Sequence, residues 1–478
     1  MKELEISPIK DVWSVFKQLS NIPRGSGNEK AVSDYAVLFA QQAGVYAKQD
    51  KNLNIYLSAP ASKGYEKYEP VVLQAHLDMV TEKDSDVEHD FLKDPLKLYI
   101  EDGFLKAKGT TLGADDGIGV AMLLALLADK TKKHPPLEGI LTVEEETTMK
   151  GAKTFDYSQI KSKKLISLDH NTADEIFTSS ATLVKVNIEG LLNYTTVKSQ
   201  SGAVIKIFGL LGGHSGDDIL KRKSAFEFTA RILNELVKHN ICLVKIDCGN
   251  AINAIAREST IEIALNNTKF TEILNITKQL EKAFNEELKG DTLSFSCTPK
   301  ENINKIATDK ETMRINDFLM SLPNGAQTIL EYPNCAESSL NIGKLLIENG
   351  NLLLNISVRS SVLSLEELLL EKLQILSRVF GLELKIIAKN PNFKLNLNSG
   401  FIKLFQKVFK ENYGKDIKLQ PYHAGAEPGV FMENIKGLEI AMISPTLIDI
   451  HSPKERLDIK STEHMYEYLC KVLEQCKF

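Results

Sequence analysis

Pro70-Val71-Val72-Leu73-Gln74-Ala75-His76-Leu77-Asp78 reads as a buried strand that runs out into chemistry. Pro70 to Ala75 is a short, almost continuously apolar run, the pattern of a strand covered on both faces. His76 and Asp78 stand at its end. A period of two puts both side chains on one face. Asp78 can then accept the second ring N–H of His76, fix its tautomer and raise its basicity as a ligand. A satisfied core histidine would look the same, so this motif alone decides nothing.

The same ending recurs further along. Leu137 to Val143 is apolar and stops at Glu144-Glu145-Glu146. Three acids at a strand end repel one another unless cations neutralise them or water screens them, and after so apolar a strand a metal is the better explanation. Adjacent residues point in different directions, so one glutamate can ligate while its neighbour faces a substrate. Lys164 to Leu168 stops at Asp169-His170, with His170 a rival to Asp169 as ligand. Gly113-Ala114-Asp115-Asp116-Gly117 opens the apolar helix predicted over Gly117 to Asp129. One aspartate suffices as a helix cap, which leaves the other free to bridge metals. His451 returns late, in Asp449-Ile450-His451-Ser452-Pro453. Two histidines and several carboxylates at element ends are what a two-metal hydrolytic site needs. Imidazole suits zinc, a carboxylate can bridge two ions, and a further carboxylate can activate water.

Strands interleaved with helices predict an α/β fold with a largely parallel or mixed sheet flanked by helices on both faces. Helical periodicity covers Val12 to Leu19 and Glu29 to Ala43, and Asn54 to Ala59 reads as a strand. From about Val184 the texture changes to alternating strands, Lys185 to Glu189 and Ala203 to Leu210. Amphipathic helices follow over Lys223 to His239 and Phe270 to Leu288. A similar order recurs between Asp291 and Phe380, without a strict repeat. The expected organisation is a catalytic domain from both chain ends, residues 1–183 and 389–478, interrupted by an inserted α/β domain, 184–388. The insertion matters because it returns His451 to the early clusters.

The composition is that of an ordinary globular protein, 43% hydrophobic and 25% charged. A net charge of -5 gives no reason to expect nucleic-acid binding. Ile118 to Ala128 is too short to cross a bilayer. The charged start, Met1 to Ile6, has no secretory h-region, so a cytoplasmic location is expected. Six cysteines with no C-x-x-C pair fit reduced thiols.

Beyond these spacings, longer stretches resemble the M20 metallopeptidase family, and within it the bacterial aminoacyl-histidine (Xaa-His) dipeptidases. They include Ile22-Pro23-Arg24-Gly25-Ser26-Gly27, Leu73 to Val80, Gly109 to Asp115, Gly209 to Gly216 and His423-Ala424-Gly425-Ala426-Glu427. The resemblance implies a zinc-peptidase catalytic domain with a mixed central sheet, and an inserted α/β lid. It implies two zinc ions per subunit, with cobalt or manganese able to substitute. His76 and Asp169 would hold one ion, Glu146 and His451 the other, and Asp115 would bridge them, followed by a cis peptide. Glu145 would be the general base, with Asp78 orienting His76. In the lid, His214 would contact substrate or the oxyanion, and Asn253 and Arg359 would bind substrate, Arg359 through its carboxylate. Glu427 would receive the substrate amine. The implied activity is hydrolysis of unblocked dipeptides, including β-alanyl-histidine, by a homodimer. An N-acyl amino acid deacylase or a broader di- or tripeptidase is the alternative, and a non-catalytic peptide-binding protein a remote one. The chain departs from the family pattern at Asp116, often Asn, at Thr147-Thr148, usually Ala-Gly, and at Pro428, usually Cys.

Overall fold

In the computed structural model, which describes residues 2–330 and 335–478, the chain divides into two compact units. Unit 1 is 1–178, 393–420 and 426–478, and unit 2 is 179–392 and 421–425. The small segment 421–425 joins unit 2 by backbone bonds, Tyr422 N–H to Ser179 and Ala181 N–H to Ala424.

Unit 1 is built on a six-stranded mixed sheet. Its order is Tyr46–Gln49, Ile55–Ala59, Leu137–Thr142, Val71–His76, Lys164–Ser167, Glu439–Met442. The last four strands are mutually parallel. Their C-terminal ends therefore lie along one edge, where ligand sites of parallel sheets form. Register places His76 opposite Thr142 and Gln74 opposite Ser167. Every residue of Val71–His76 and of Leu137–Thr142 is buried, as strands covered on both faces require.

The helix Ala114–Ala128 is buried almost all round from Gly117 to Leu127, so it is a core element rather than an amphipathic cover. It packs against Val71–His76 and against the helix Lys10–Ser20, whose Val12, Trp13, Phe16 and Leu19 are buried. The expected helices over Val12 to Leu19 and Glu29 to Ala43 are Lys10–Ser20 and Lys30–Gln42. A four-stranded sheet pairs Arg456–Asp458 with Phe104–Ala107 and Leu447–Ile448. It ties the loop carrying His451 to the early chain.

Unit 2 holds an antiparallel sheet of nine strands among the described residues. The strands Ser259–Leu265 and Ser294–Ala307 both run antiparallel to Tyr194–Phe208 between them. They are thus parallel to each other, with the helix Phe270–Glu287 as crossover. The second half repeats this with Asn351–Ser360, the helix Leu363–Val379 and Glu383–Asn390 around Leu183–Leu191. The topology recurs, but not over the stretch expected from Asp291 to Phe380: Ser294–Ala307 completes the first unit, and the second runs on to Asn390 and includes Leu183–Leu191. Cys335–Glu348 and Asn351–Ser360 form a hairpin, turned at Asn349-Gly350 where both φ angles are positive. A tight hairpin turn of this kind favours Asn-Gly for that reason. Unit 2 has its own apolar core, with Ile205, Phe228, Ile263 and Leu354 among its members.

Candidate metal centre

The edge of the unit 1 sheet collects the side chains singled out from the sequence. His76 ends its strand with its ring buried. Its Nε2 lies 3.2 Å from Asp115 Oδ1 and 3.9 Å from Asp169 Oδ1. Its Nδ1 lies 3.4 Å from Asp78 Oδ1. His451 faces the other oxygen of the same carboxylate, with Nε2 3.1 Å from Asp115 Oδ2 and 3.1 Å from Glu146 Oε2. Asp115 thus stands between two imidazoles, one per oxygen.

Local backbone makes this possible. Gly113 is left-handed, Asp115 and Asp116 are non-helical at the mouth of the helix, and the Asp115–Asp116 peptide is cis. The two aspartates diverge. Asp115 faces the histidines, while Asp116 is buried and accepts the backbone N–H of His76 at 3.2 Å. Asp78 does more than face His76. It accepts the backbone N–H groups of Glu145 and Glu146 at 3.0 and 3.2 Å and the hydroxyl of Ser26 at 2.7 Å. One carboxylate so fixes the orientation of His76 and the start of the segment that carries both glutamates.

Electrostatics follow from this crowding. Burial opposes a charge on His76, but Asp115 and Asp78 override it and hold its pKa well above the usual histidine range. Burial would raise Asp115, yet hydrogen bonds from His451 and His76 hold it well below the usual carboxylate range. Burial, helped by Asp115 and Glu146 against His76, pushes Asp169 up to about 7. Burial pushes Glu145 well above its ordinary value, with Asp169, Glu146 and Glu427 adding to it against His76. A carboxylate raised this way is a stronger base than an exposed glutamate.

The residues fit divalent cations. Among the described residues, three groups of donors converge within 4.8 Å: His76 with Asp116 and Asp169, His76 with Glu145 and Glu146, and Asp115 with Glu146 and His451. The third is the Glu146–His451–Asp115 set expected from the sequence. The first contains Asp116 where Asp115 was expected. We favour Asp115, because Asp116 already accepts the His76 amide, and its carboxylate rests against Gly119. Glu146 Oε1 is buried without a partner, an acceptor that a cation could satisfy. His170, the rival to Asp169, stacks on Phe177 at 3.6 Å and accepts N–H groups from Asn171 and Thr172. It belongs to none of the donor groups.

Glu427 is fully buried. Its Oε2 accepts from Gln74 at 2.8 Å and Thr142 at 2.7 Å, and its Oε1 has no partner. Burial, against the Thr142 bond, pushes it up to about 8.

The remaining predicted residues lie together in unit 2. His214 pairs with Ala254 in a two-residue bridge. Its neighbour Ser215 donates its N–H to the carbonyl of Asn253 at 2.9 Å. Arg359 is buried, with Nη2 3.4 Å from His214 Nε2 and 3.4 Å from Ser215 Oγ, and Nη1 without a partner. His423 Nε2 lies 2.8 Å from Ser339 Oγ, and burial pushes its pKa down to about 3.

Two charged residues close to the site were not read from the sequence as functional, Arg24 and Glu455, each 2% exposed. Only Arg24 had a visible signal, its place in the Ile22 to Gly27 stretch.

Residues 72–475 match the model of Peptidase family M20/M25/M40. The chain belongs to this family. It is accordingly a hydrolase of peptide bonds. It is 31% identical over 489 residues to the cytosol non-specific dipeptidase of Escherichia coli, covering 99% of both chains. Among solved structures it resembles aminoacylhistidine dipeptidase from Vibrio alginolyticus, at TM-score 0.83 and 28% identity over 99% of both chains. An aminopeptidase from Bacillus cereus shares the fold at TM-score 0.56 and 16% identity, over 98% of this chain and 99% of its own.

Proposed function

We propose that this M20 peptidase is a two-metal dipeptidase that cleaves unblocked dipeptides, Xaa-His substrates such as β-alanyl-histidine among them. The observation that carries the reading is Asp115, whose two oxygens each face a different histidine, His76 and His451. The names of the E. coli and Vibrio relatives, both dipeptidases, support the substrate class.

His76 and Asp169 would hold one ion, Glu146 and His451 the other, and Asp115 both. Zinc fits this imidazole and carboxylate set, and cobalt or manganese could replace it. Such ions supply an acidified water and a polarised carbonyl. The protein's own groups do the rest. Glu145 takes the proton of the attacking water and returns it to the leaving amine, a task suited to its raised pKa. Asp78 keeps His76 in one tautomer and holds the Glu145–Glu146 backbone in place. Glu427 receives the substrate amine on its unpartnered Oε1, while Gln74 and Thr142 fix Oε2. Arg359, a buried cation with a free Nη1, takes the substrate carboxylate. His214 and Asn253 keep the roles of oxyanion and substrate contacts. Residues 1–183 and 389–478 form the catalytic domain and 184–388 the lid.

We further infer a cytoplasmic homodimer. The E. coli relative is named as cytosolic. In unit 2, Ile375 and Val379, one helical turn apart, and Ile386 and Ile387 on the edge strand Glu383–Asn390 are exposed apolar residues that a second copy could cover.

The test is a panel of free, N-acetylated and C-amidated dipeptides and of tripeptides, assayed with zinc, manganese and cobalt. Free dipeptides are expected to lead by ~100-fold or more in kcat/KM, since a capped end leaves Glu427 or Arg359 unpaired. N-acetyl amino acids as best substrates would replace this reading with a deacylase.

A further inference from the structure

Four residues beyond His451 stands Glu455, a carboxylate with no part in the reaction above. Its two oxygens accept four consecutive backbone N–H groups. Oε2 takes those of Leu112 at 2.7 Å and Gly113 at 2.9 Å. Oε1 takes those of Ala114 at 2.8 Å and Asp115 at 3.3 Å.

These amides lie at the mouth of the helix Ala114–Ala128, where donors have no partner inside the helix. A local Ser or Asp would satisfy such donors. Here Gly113 is the cap residue and offers no side chain. The anchor comes instead from the segment that presents His451.

The same loop is gripped from its other side. Arg24 donates through Nη1 to the carbonyls of Leu77 and Asp78 at 2.9 and 3.0 Å, and through Nη2 to the carbonyl of Gly113. A Cβ on Gly113 or Gly117 would meet Arg24 Nη2 at 2.6 or 2.4 Å. Both glycines make room for the guanidinium. The Gly113 residue thus gives its N–H to Glu455 and its carbonyl to Arg24.

We propose that Glu455, opposed by Arg24, is a positioning residue that sets the Asp115 carboxylate between His76 and His451 and so tunes metal affinity. The segment carrying His451 also anchors the residue that His451 faces. The loop after His76 is joined to the same assembly through Leu77 and Asp78. This rests on the two-metal reading.

The test uses the full chain stripped of metal and titrated with Co2+. Stoichiometry is read by elemental analysis, and site geometry by the visible absorption of bound cobalt. Glu455→Gln keeps the shape but puts an NH2 donor against N–H donors. It is expected to weaken Co2+ binding by ~10- to 100-fold, the usual effect of losing a ligand's supporting partner, and to shift the cobalt band. Arg24→Lys keeps the charge, loses the double grip, and is expected to do the same more mildly. Affinity within about threefold of wild type and an unchanged band in folded Glu455→Gln would overturn the proposal. Should the variant not fold, hydrogen exchange in cobalt-loaded wild type decides. The Leu112 to Asp115 amides are expected to exchange slowly, and exchange at open-loop rates rejects the anchor. Wild-type protein that binds no cobalt removes the two-metal reading itself, and this inference with it.

Discussion

Glu145 and Glu146 are neighbours with different surroundings. Glu146 Oε2 meets His451 at 3.1 Å, whereas Glu145 is raised by burial and by carboxylates on several sides. In the proposed reading the first ligates and the second carries a proton. Glu145→Ala is therefore expected to lower kcat by ~10²- to 10⁴-fold while elemental analysis still finds both metals. Activity within threefold of wild type would remove it as base, and loss of both metals would make it a ligand. Asp115 answers differently because each of its oxygens serves one histidine. Asp115→Ala is expected to empty both positions together, since two cations held ~3.5–4 Å apart lose the charge between them. His451→Ala is expected to empty mainly one. Equal metal loss in the two variants would refute the bridging role.

At the scale of elements, the helix Ala114–Ala128 is where sequence and chemistry meet. Gly119 is tightly placed, because a Cβ there would lie 2.2 Å from Asp116 Oδ1. Asp116 has no room to yield, being buried and held by the His76 amide. Gly119→Ala should thus destabilise by ~1–3 kcal/mol, the range for overpacking a filled core, in spite of alanine's better helix propensity. A denaturation midpoint at or above wild type would contradict this. The early elements were legible in the sequence because their apolar runs are local and continuous. Val71–His76, Leu137–Thr142 and Lys164–Ser167 all end beside their acids. Other features carried no local signal. Glu455 meets its four partners more than 300 positions earlier, and a glutamate in a loop looks solvated until the loop is placed. The split between Asp115 and Asp116 was readable only in part: two aspartates exceed what one cap needs, but that Asp116 turns inward to the His76 amide had no local signal. The order of strands in unit 2 was seen, but its split strand–helix–strand topology depends on an intervening strand from far away.

At the scale of the whole molecule, the candidate metal ligands belong to one unit. His76, Asp115, Glu146, Asp169 and His451 all come from unit 1, which draws on both ends of the chain. Unit 2 has a separate core, and among the described residues none of its side chains joins a donor group. Metal removal should therefore act unevenly. Without cations, the buried carboxylates face one another with Arg24 and two imidazoles to offset them, and such groups shift or repel rather than stay charged. Binding that favours the folded state adds about 2.7 kcal/mol per site at 100 times Kd, and chelation withdraws it. Hydrogen exchange with and without a chelator reads this out segment by segment. Exchange is expected to accelerate in Val71–His76, at the mouth of Ala114–Ala128, and from Leu137 to Glu146. In unit 2, Ile241–Cys248 and Asn351–Ser360 are expected to keep their rates. Equal acceleration in both units would mean that the metals stabilise the entire chain. No change in either unit, with metal loss verified by elemental analysis, would mean that the carboxylate cluster is stable without cations and that the ions serve the reaction alone.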